Sequence, residues 1–300
     1  MMIFRVPESR SVSMAFPELR DIVKIQHGGF KAVYSVIVED KKEALKLVFI
    51  PPVSDIRNEE YLLRQKEIKG RIRREIDLLA KLKRPEIVKL GALAPKEIQI
   101  DGQDFIAYSE EFLEGKNLWN ILRSGGTKPD ENELRSLFTS LLNAIKELWE
   151  HKTVHRDIKP HNIIKLADPD RPFVLLDFGI AFVIGETALT DAGFPRTNRY
   201  MAPEMIQPNF RDSLDYRSDL YTMALTIYEY GAQRHPIAGN PEDPMLTISR
   251  AIREIPSPLK DHRPDLSSEF CDTIDQLLKK RPSLRPANLE TLLAKAGLSS

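Results

Sequence analysis

His155-Arg156-Asp157-Ile158-Lys159-Pro160-His161-Asn162 places a carboxylate, an ammonium and a carboxamide within six residues. Pro160 has no N–H to donate and its ring blocks the preceding turn, so no helix runs through this stretch and it reads as a loop. Loops carried on a rigid frame are where binding and catalytic groups concentrate. Before it, Leu134, Leu137, Phe138, Leu141, Leu142, Ile145, Leu148 and Trp149 recur at helical spacing and form the broad apolar stripe of a buried helix. After it, two short strand-like pieces, 162–165 and 173–176, lead into Asp177-Phe178-Gly179. An acid at a strand end followed by a flexible glycine suits a metal ligand, and it suits an ordinary turn as well.

Outward from this loop the chain changes character. Beyond it the pattern is helical near 218–230, 244–254, 269–279 and 288–296. Before it, residues 22–25, 32–38 and 44–49 are rich in β-branched and aromatic side chains, and a His27-Gly28-Gly29 turn separates the first two runs. A helix is expected from about Asn58 to Leu82, stopped by Pro85, then strands at 87–90, 97–100 and 105–108, with Asp101-Gly102 as a hairpin turn. A β-rich front and an α-rich back make a two-lobed α+β plan. A cleft is expected where the two meet, near Glu111 to Gly115.

Composition narrows the function. The 300 residues carry 44 Lys+Arg against 44 Asp+Glu, a balance that argues against binding nucleic acid or anionic membranes through bulk charge. At 42% hydrophobic and 29% charged, the chain has the apolar material for a packed core. Arg5 comes too early for a signal-peptide core, and no apolar run reaches the ~18 residues of a membrane span. The single cysteine, Cys271, forms no intrachain disulfide and no zinc cluster, which fits a reducing compartment. The expectation is a soluble cytoplasmic chain.

Two charges stand where apolar residues belong. The stripe Ile68, Ile72, Leu79, Leu82 passes through Glu75, and a carboxylate on a core face needs a cation. On the third strand, alternation puts Ala44, Lys46 and Val48 on one face, so Lys46 is an ammonium between small apolar neighbours. Either the two are partners, or both are boundary residues snorkelling to solvent.

These features resemble the protein-kinase signature set in its order: the strand-three Lys in Ala44-Leu45-Lys46, the helix Glu at Glu75, the HRDxKxxN loop at 155–162, DFG at 177–179 and APE at Ala202-Pro203-Glu204. The similarity runs through Ser218-Asp219-Leu220-Tyr221 and Arg285-Pro286, and covers about residues 21–296. Asp177-Phe178-Gly179-Ile180-Ala181 and Arg263-Pro264-Asp265-Leu266 look most like the bacterial Hanks-type Ser/Thr kinases. The resemblance implies a kinase domain over 21–300 behind an extension at 1–20, with a β-rich N-lobe at 21–111 and an α-rich C-lobe at 112–300.

It also implies roles. Phosphoryl transfer is mainly positioning and charge neutralisation. Lys46, fixed by Glu75, would hold the α- and β-phosphates of ATP. Asn162 and Asp177 would ligate Mg²⁺. Asp157 would take the hydroxyl proton of a protein serine or threonine, and Lys159 would stabilise the γ-phosphate. Thr197 would bond Asp157 and Lys159. Val33 and Ala44 above and Ile164 below would enclose the adenine, whose edge meets the backbone from Glu111 to Leu113. Glu204 would pair with Arg285, and Asp219 would brace the loop. Thr187 and Thr190 are candidate phosphorylation sites for docking on Arg156.

The chain departs from the pattern in its phosphate loop. Phe30 and Val33 align with GxGxFGxV so that Gln26, Gly28 and Lys31 fall at the three glycine positions and only Gly28 matches, with Gly29 as partial compensation. Lys31 either adds a contact to phosphate or points to solvent. In Ser109-Glu110-Glu111-Phe112-Leu113, the residue lining the back of the adenine pocket, usually apolar or Thr, is Glu110 in one register and Ser109 in another. The altered loop leaves a pseudokinase, binding partners without transferring phosphate, as the rival to an active enzyme.

Overall fold

Along Lys31–Val38 buried and half-exposed residues alternate, with Ala32, Tyr34, Val36 and Val38 turned inward, the two-residue period of a strand buried on one face. The computed structural model describes residues 4–28, 30–52, 59–178, 199–206, 214–239 and 243–295, and divides into two compact units.

The first unit, built mainly from residues 4–82 and 88–113, contains helix α1 (Ser9–Ala15), strands β1 (Arg20–Gly28), β2 (Lys31–Val38) and β3 (Lys41–Ile50), helix α2 (Glu59–Leu79), and strands β4 (Lys96–Ile100) and β5 (Gln103–Glu111). The strands form an antiparallel sheet in the order β1-β2-β3-β5-β4. Two of its hairpins close through consecutive residues of positive φ, Glu39 (46°) and Asp40 (67°), then Asp101 (49°) and Gly102 (74°). That backbone twist matches the twist of the strands it joins.

One sheet face, with Leu45, Leu47, Phe49, Phe105 and Ala107, is covered by the segment before β1. Val12 and Phe16 of this segment are fully buried there. The Phe4 ring lies 5.4 Å from that of Phe49, and Arg5 and Gln103 exchange two hydrogen bonds of 2.9 Å. Residues 4–19, set apart on sequence as an extension, thus supply part of this core. Phe16→Ala is expected to cost about 3–5 kcal/mol in urea unfolding, the usual price of emptying a buried aromatic site; a cost under about 1 kcal/mol would mean that the segment lies on the sheet without stabilising it. Helix α2 covers the other face, packing Ile72 and Ile76 against Val48, Ile50, Ile106 and Tyr108.

The second unit holds strand β6 (Gly115–Asn117), helices α3 (Leu118–Arg123) and α4 (Glu131–Glu150), strands β7 (Ile163–Leu166) and β8 (Phe173–Leu175), and helices α5 (Tyr216–Ala232), α6 (Pro244–Arg253), α7 (Leu259–His262), α8 (Ser268–Leu277) and α9 (Leu289–Lys295). Helix starts are set by side-chain caps: Asp130 accepts the Glu133 N–H at 2.8 Å, and Asp215 the Arg217 N–H at 2.8 Å. From Ser218 to Ala232 every residue of α5 is buried, as expected of a helix enclosed by its neighbours. Strands β6, β7 and β8 form a small antiparallel sheet in which Gly115 is required, since a Cβ there would stand 2.2 Å from the Lys165 carbonyl oxygen.

Residues 83–87 belong to this second unit. Glu147 of α4 accepts the N–H groups of Lys83 and Arg84 at 2.7 and 3.0 Å, and Asn143 donates to Glu86 at 2.8 Å. The strand expected at 87–90 does not form. Ile87 makes one parallel bridge to Leu175 and Leu90 one antiparallel bridge to Glu110; with partners on different strands and in opposite senses, no ladder builds up.

Candidate active site

The loop at 155–162 leaves α4 and enters β7 through a single 3-10 turn at Pro160–Asn162. Its backbone is held by α5: Asp219, 1% exposed, accepts the N–H of His155 at 2.7 Å and of Arg156 at 2.8 Å. Burial pushes the Asp219 carboxyl up to about 7, against the pull of those two donors and of the Arg156 charge. The bonds hold Arg156 at a φ of 70°, a left-handed conformation that residues other than glycine adopt only when the surroundings enforce it.

His155 Nδ1 accepts the Asp157 N–H at 3.2 Å, so the network assigns the ring proton to Nε2, which donates to the Leu176 carbonyl at 3.0 Å. Burial lowers the His155 pKa to about 4, which keeps the ring neutral and preserves this tautomer. The Phe178 ring meets it edge-on at 5.0 Å. His155 therefore serves as an internal strut of the loop.

Two side chains of the loop, Lys159 and Asn162, converge on the Asp157 carboxylate. Lys159 Nζ lies 2.8 Å from Asp157 Oδ1, with the two side chains 15% and 8% exposed. Asn162 Nδ2 donates to Asp157 Oδ2 at 2.8 Å and to the Asp157 carbonyl at 2.9 Å. With its nitrogen so engaged, Asn162 offers its side-chain oxygen as the atom suited to a hard cation. Asp177, two residues beyond β8, has a φ of 55° and is left-handed like Arg156. Ile164 lies on β7, paired with Asn117 and Val174.

In the first unit, register fixes which side chains share a face. Val33 stands opposite Lys46 and Ser35 opposite Ala44; Ala44 stands opposite Glu110, Lys46 opposite Tyr108 and Leu45 opposite Ser109. Directly opposed residues point the same way, so Val33, Ala44, Lys46 and Glu110 line one face while Ser109 joins Leu45 on the other. Of the two residues left open on sequence, Glu110 is the one that shares a face with Lys46. Lys46 Nζ is 2.5 Å from Glu110 Oε1, with both side chains buried, a partner the sequence reading did not name. Burial of Lys46 also removes the snorkelling alternative. Glu75 is buried on α2, the helix that packs against this same face.

Ser109 has its own task. Its hydroxyl donates to Glu43 Oε2 at 2.5 Å and accepts the Leu93 N–H at 3.0 Å, and Glu43 accepts the Ala92 N–H at 2.9 Å. Buried Glu43 thus pins the 91–93 turn to β3 and β5, a role with no signal in local sequence.

Gly28 stands opposite Lys31 at the end of the β1–β2 ladder, and Gln26 opposite Val33. A Cβ added at Gly28 would meet nothing within 4 Å. Glu111 accepts the Lys89 N–H at 2.8 Å, which fixes the exit of β5 before Leu113. Gly29, Gly179, Thr187, Thr190 and Thr197 lie outside the described residues. The pair expected between Glu204 and Arg285 is present as a bidentate contact, at 2.6 and 2.9 Å, with Ser218 also donating to Glu204 at 2.6 Å.

Comparison with known proteins agrees with this geometry. Residues 19–295 match the model of the protein kinase domain. The chain is 34% identical over 166 residues to the dual specificity mitogen-activated protein kinase kinase mek-1 of Caenorhabditis elegans, covering 54% of this chain and 45% of that protein. It is 32% identical over 244 residues to the serine/threonine-protein kinase pkn3 of Myxococcus xanthus, covering 78% of this chain and 42% of that one. Among solved structures, Rad53 in complex with AMP-PNP superposes with a TM-score of 0.65 at 26% identity, over 92% of this chain and 64% of that one. The chain spans less than half the length of these two curated relatives.

Proposed function

Because the chain belongs to the protein kinase domain family, we propose that it transfers the γ-phosphate of ATP to serine and threonine hydroxyls of a protein substrate. The observation that carries this reading is the Asp157 carboxylate bracketed by Lys159 and Asn162 on a loop that α5 holds rigid. Transfer forms a bond between the substrate oxygen and the γ-phosphorus, breaks the bond from that phosphorus to ADP, and releases the hydroxyl proton. Asp157 accepts that proton and aims the oxygen. Lys159, already against Asp157, supplies positive charge where the γ-phosphate gathers negative charge.

Lys46 is assigned to the α- and β-phosphates with Glu75 as its positioning partner, and Thr197 to the Asp157–Lys159 pair. Val33, Ala44 and Ile164 are assigned to the adenine, Glu111 and Leu113 to its edge through their backbone, and Gly28 and Gly29 to the phosphates. Among the described residues no cluster of three or more His, Cys, Asp or Glu side chains is arranged to hold a metal. One carboxylate and one carboxamide, Asp177 and Asn162, nevertheless fit Mg²⁺, which binds through one or two protein oxygens with water and phosphate completing its shell. The ion neutralises phosphate charge when bound.

Lys159 two residues after Asp157 supports serine/threonine specificity, as do relatives such as pkn3. No helix among the described residues is long and apolar enough to cross a membrane. The only cysteine, Cys271, has no second cysteine to pair with in the chain, which supports a reducing, cytoplasmic setting.

The test is incubation of the purified protein with radiolabelled ATP, Mg²⁺ and a generic protein substrate, followed by phosphoamino-acid analysis. Label on serine and threonine is expected. Binding of ATP with no label transferred would instead establish the pseudokinase reading that the altered Gln26 and Lys31 positions allow.

A further inference from the structure

The buried pair between Lys46 and Glu110 exceeds what the fold requires. Their side chains are 5% and 3% exposed and their charged atoms 2.5 Å apart, so both charges have been taken out of water. A buried ion pair of this kind repays little of its desolvation cost, and apolar residues of similar volume usually serve stability as well or better. Glu110 lies at the end of β5 opposite Ala44, one step along the sheet face from the Lys46–Tyr108 pair. Lys46 reaches Glu110 with Nζ 5.9 Å from the centroid of the Tyr108 ring. The orientation of the ammonium is therefore set in part by a carboxylate on the neighbouring strand.

Resting on the kinase reading, we propose that Glu110 is a positioning residue for Lys46, whose carboxylate competes with the phosphates of ATP for the ammonium and so sets nucleotide affinity. Lys46 has three donors, and the one aimed at Glu110 is lost to phosphate unless the contact opens. The carboxylate also offsets the charge that attracts phosphate, at a separation where such charges interact strongly. Glu110 therefore holds the ammonium in place at the expense of ATP affinity.

Three replacements separate this role from a structural one. Glu110→Gln removes the charge and keeps the shape. Glu110→Thr removes charge and reach together and provides a second variant if the glutamine protein folds poorly. Glu110→Asp keeps a carboxylate. With mant-ATP titration as the readout, the glutamine and threonine proteins are expected to bind about tenfold more tightly, the scale of a close charge pair being released, and the aspartate protein to stay near wild type. In steady state KM for ATP falls in the same two variants. In a Lys46→Met background the same replacements change affinity by less than twofold, because the shared cation is gone. A merely structural contact would shift the melting temperature without this dependence on Lys46.

Unchanged or weaker mant-ATP binding in both charge-removing variants overturns the proposal, as does tightening that persists without Lys46. If the wild-type protein transfers phosphate and Glu110→Gln leaves affinity as it was, only the role of Glu110 falls. If neither wild type nor any variant binds nucleotide, the kinase reading falls with it.

Discussion

Asp157→Asn protein is expected to transfer phosphate at about a thousandth of the wild-type rate or less, in line with the loss of a general base, while binding ATP with unchanged affinity. Asparagine is the informative replacement. Asp157 contacts both Lys159 and Asn162 through its side chain, so alanine would remove the anchor of two neighbours as well as the proton acceptor. The carboxamide retains an oxygen for one of them and cannot take up the proton. Initial rates with radiolabelled ATP, beside an ATP titration, distinguish lost chemistry from lost binding. A variant that kept a tenth of wild-type turnover would remove Asp157 from the proton-transfer step.

Arg285→Ala is expected to cost about 3–5 kcal/mol of stability, because it strands the buried Glu204 carboxylate. Arg285 is 2% exposed, and its guanidinium engages more than its ion-pair partner. It donates to the carbonyls of Lys279 at 2.8 Å, Arg217 at 2.9 Å and Lys280 at 3.1 Å, and stacks over Tyr221 with Cζ 4.7 Å from the ring centroid. Urea denaturation followed by tryptophan fluorescence measures the loss. Adding Glu204→Gln to the alanine variant should recover part of it, since the glutamine has no charge left to bury. Equal, additive losses in the double mutant would show that the two residues contribute independently.

Much of this was readable from sequence where the information is local. Asp101-Gly102 specifies its own turn. Positions 155–162 hold Asp157, Lys159 and Asn162 on one stretch of chain, so these three needed no knowledge of the fold to be grouped. Information lying between distant strands was not legible. Whether Ser109 or Glu110 shares a face with Lys46 depends on the β3–β5 register, and a slip of one residue exchanges them. The Glu110 contact with Lys46 follows from that register and spans 64 residues of sequence. Val12 and Phe16, within the extension at 1–20, find their partners on strands far along the chain, which local reading does not reveal. At 87–90 β-branched composition suggested a strand where only single bridges form.

The route by which Asp219 holds the 155–162 loop also constrains how the molecule matures. Arg156 and Asp177 occupy backbone conformations that neither would choose in an unfolded chain, and the clamp on His155 and Arg156 comes from a helix more than 60 residues further on. Local preference cannot build this loop in advance. During synthesis the Asp157 constellation leaves the ribosome well before α5, and the groups are not locked together until that helix arrives. Until then the nascent chain carries Asp157, Lys159 and Asn162 on a loop that lacks its Asp219 clamp, so the order of this loop awaits the docking of α5.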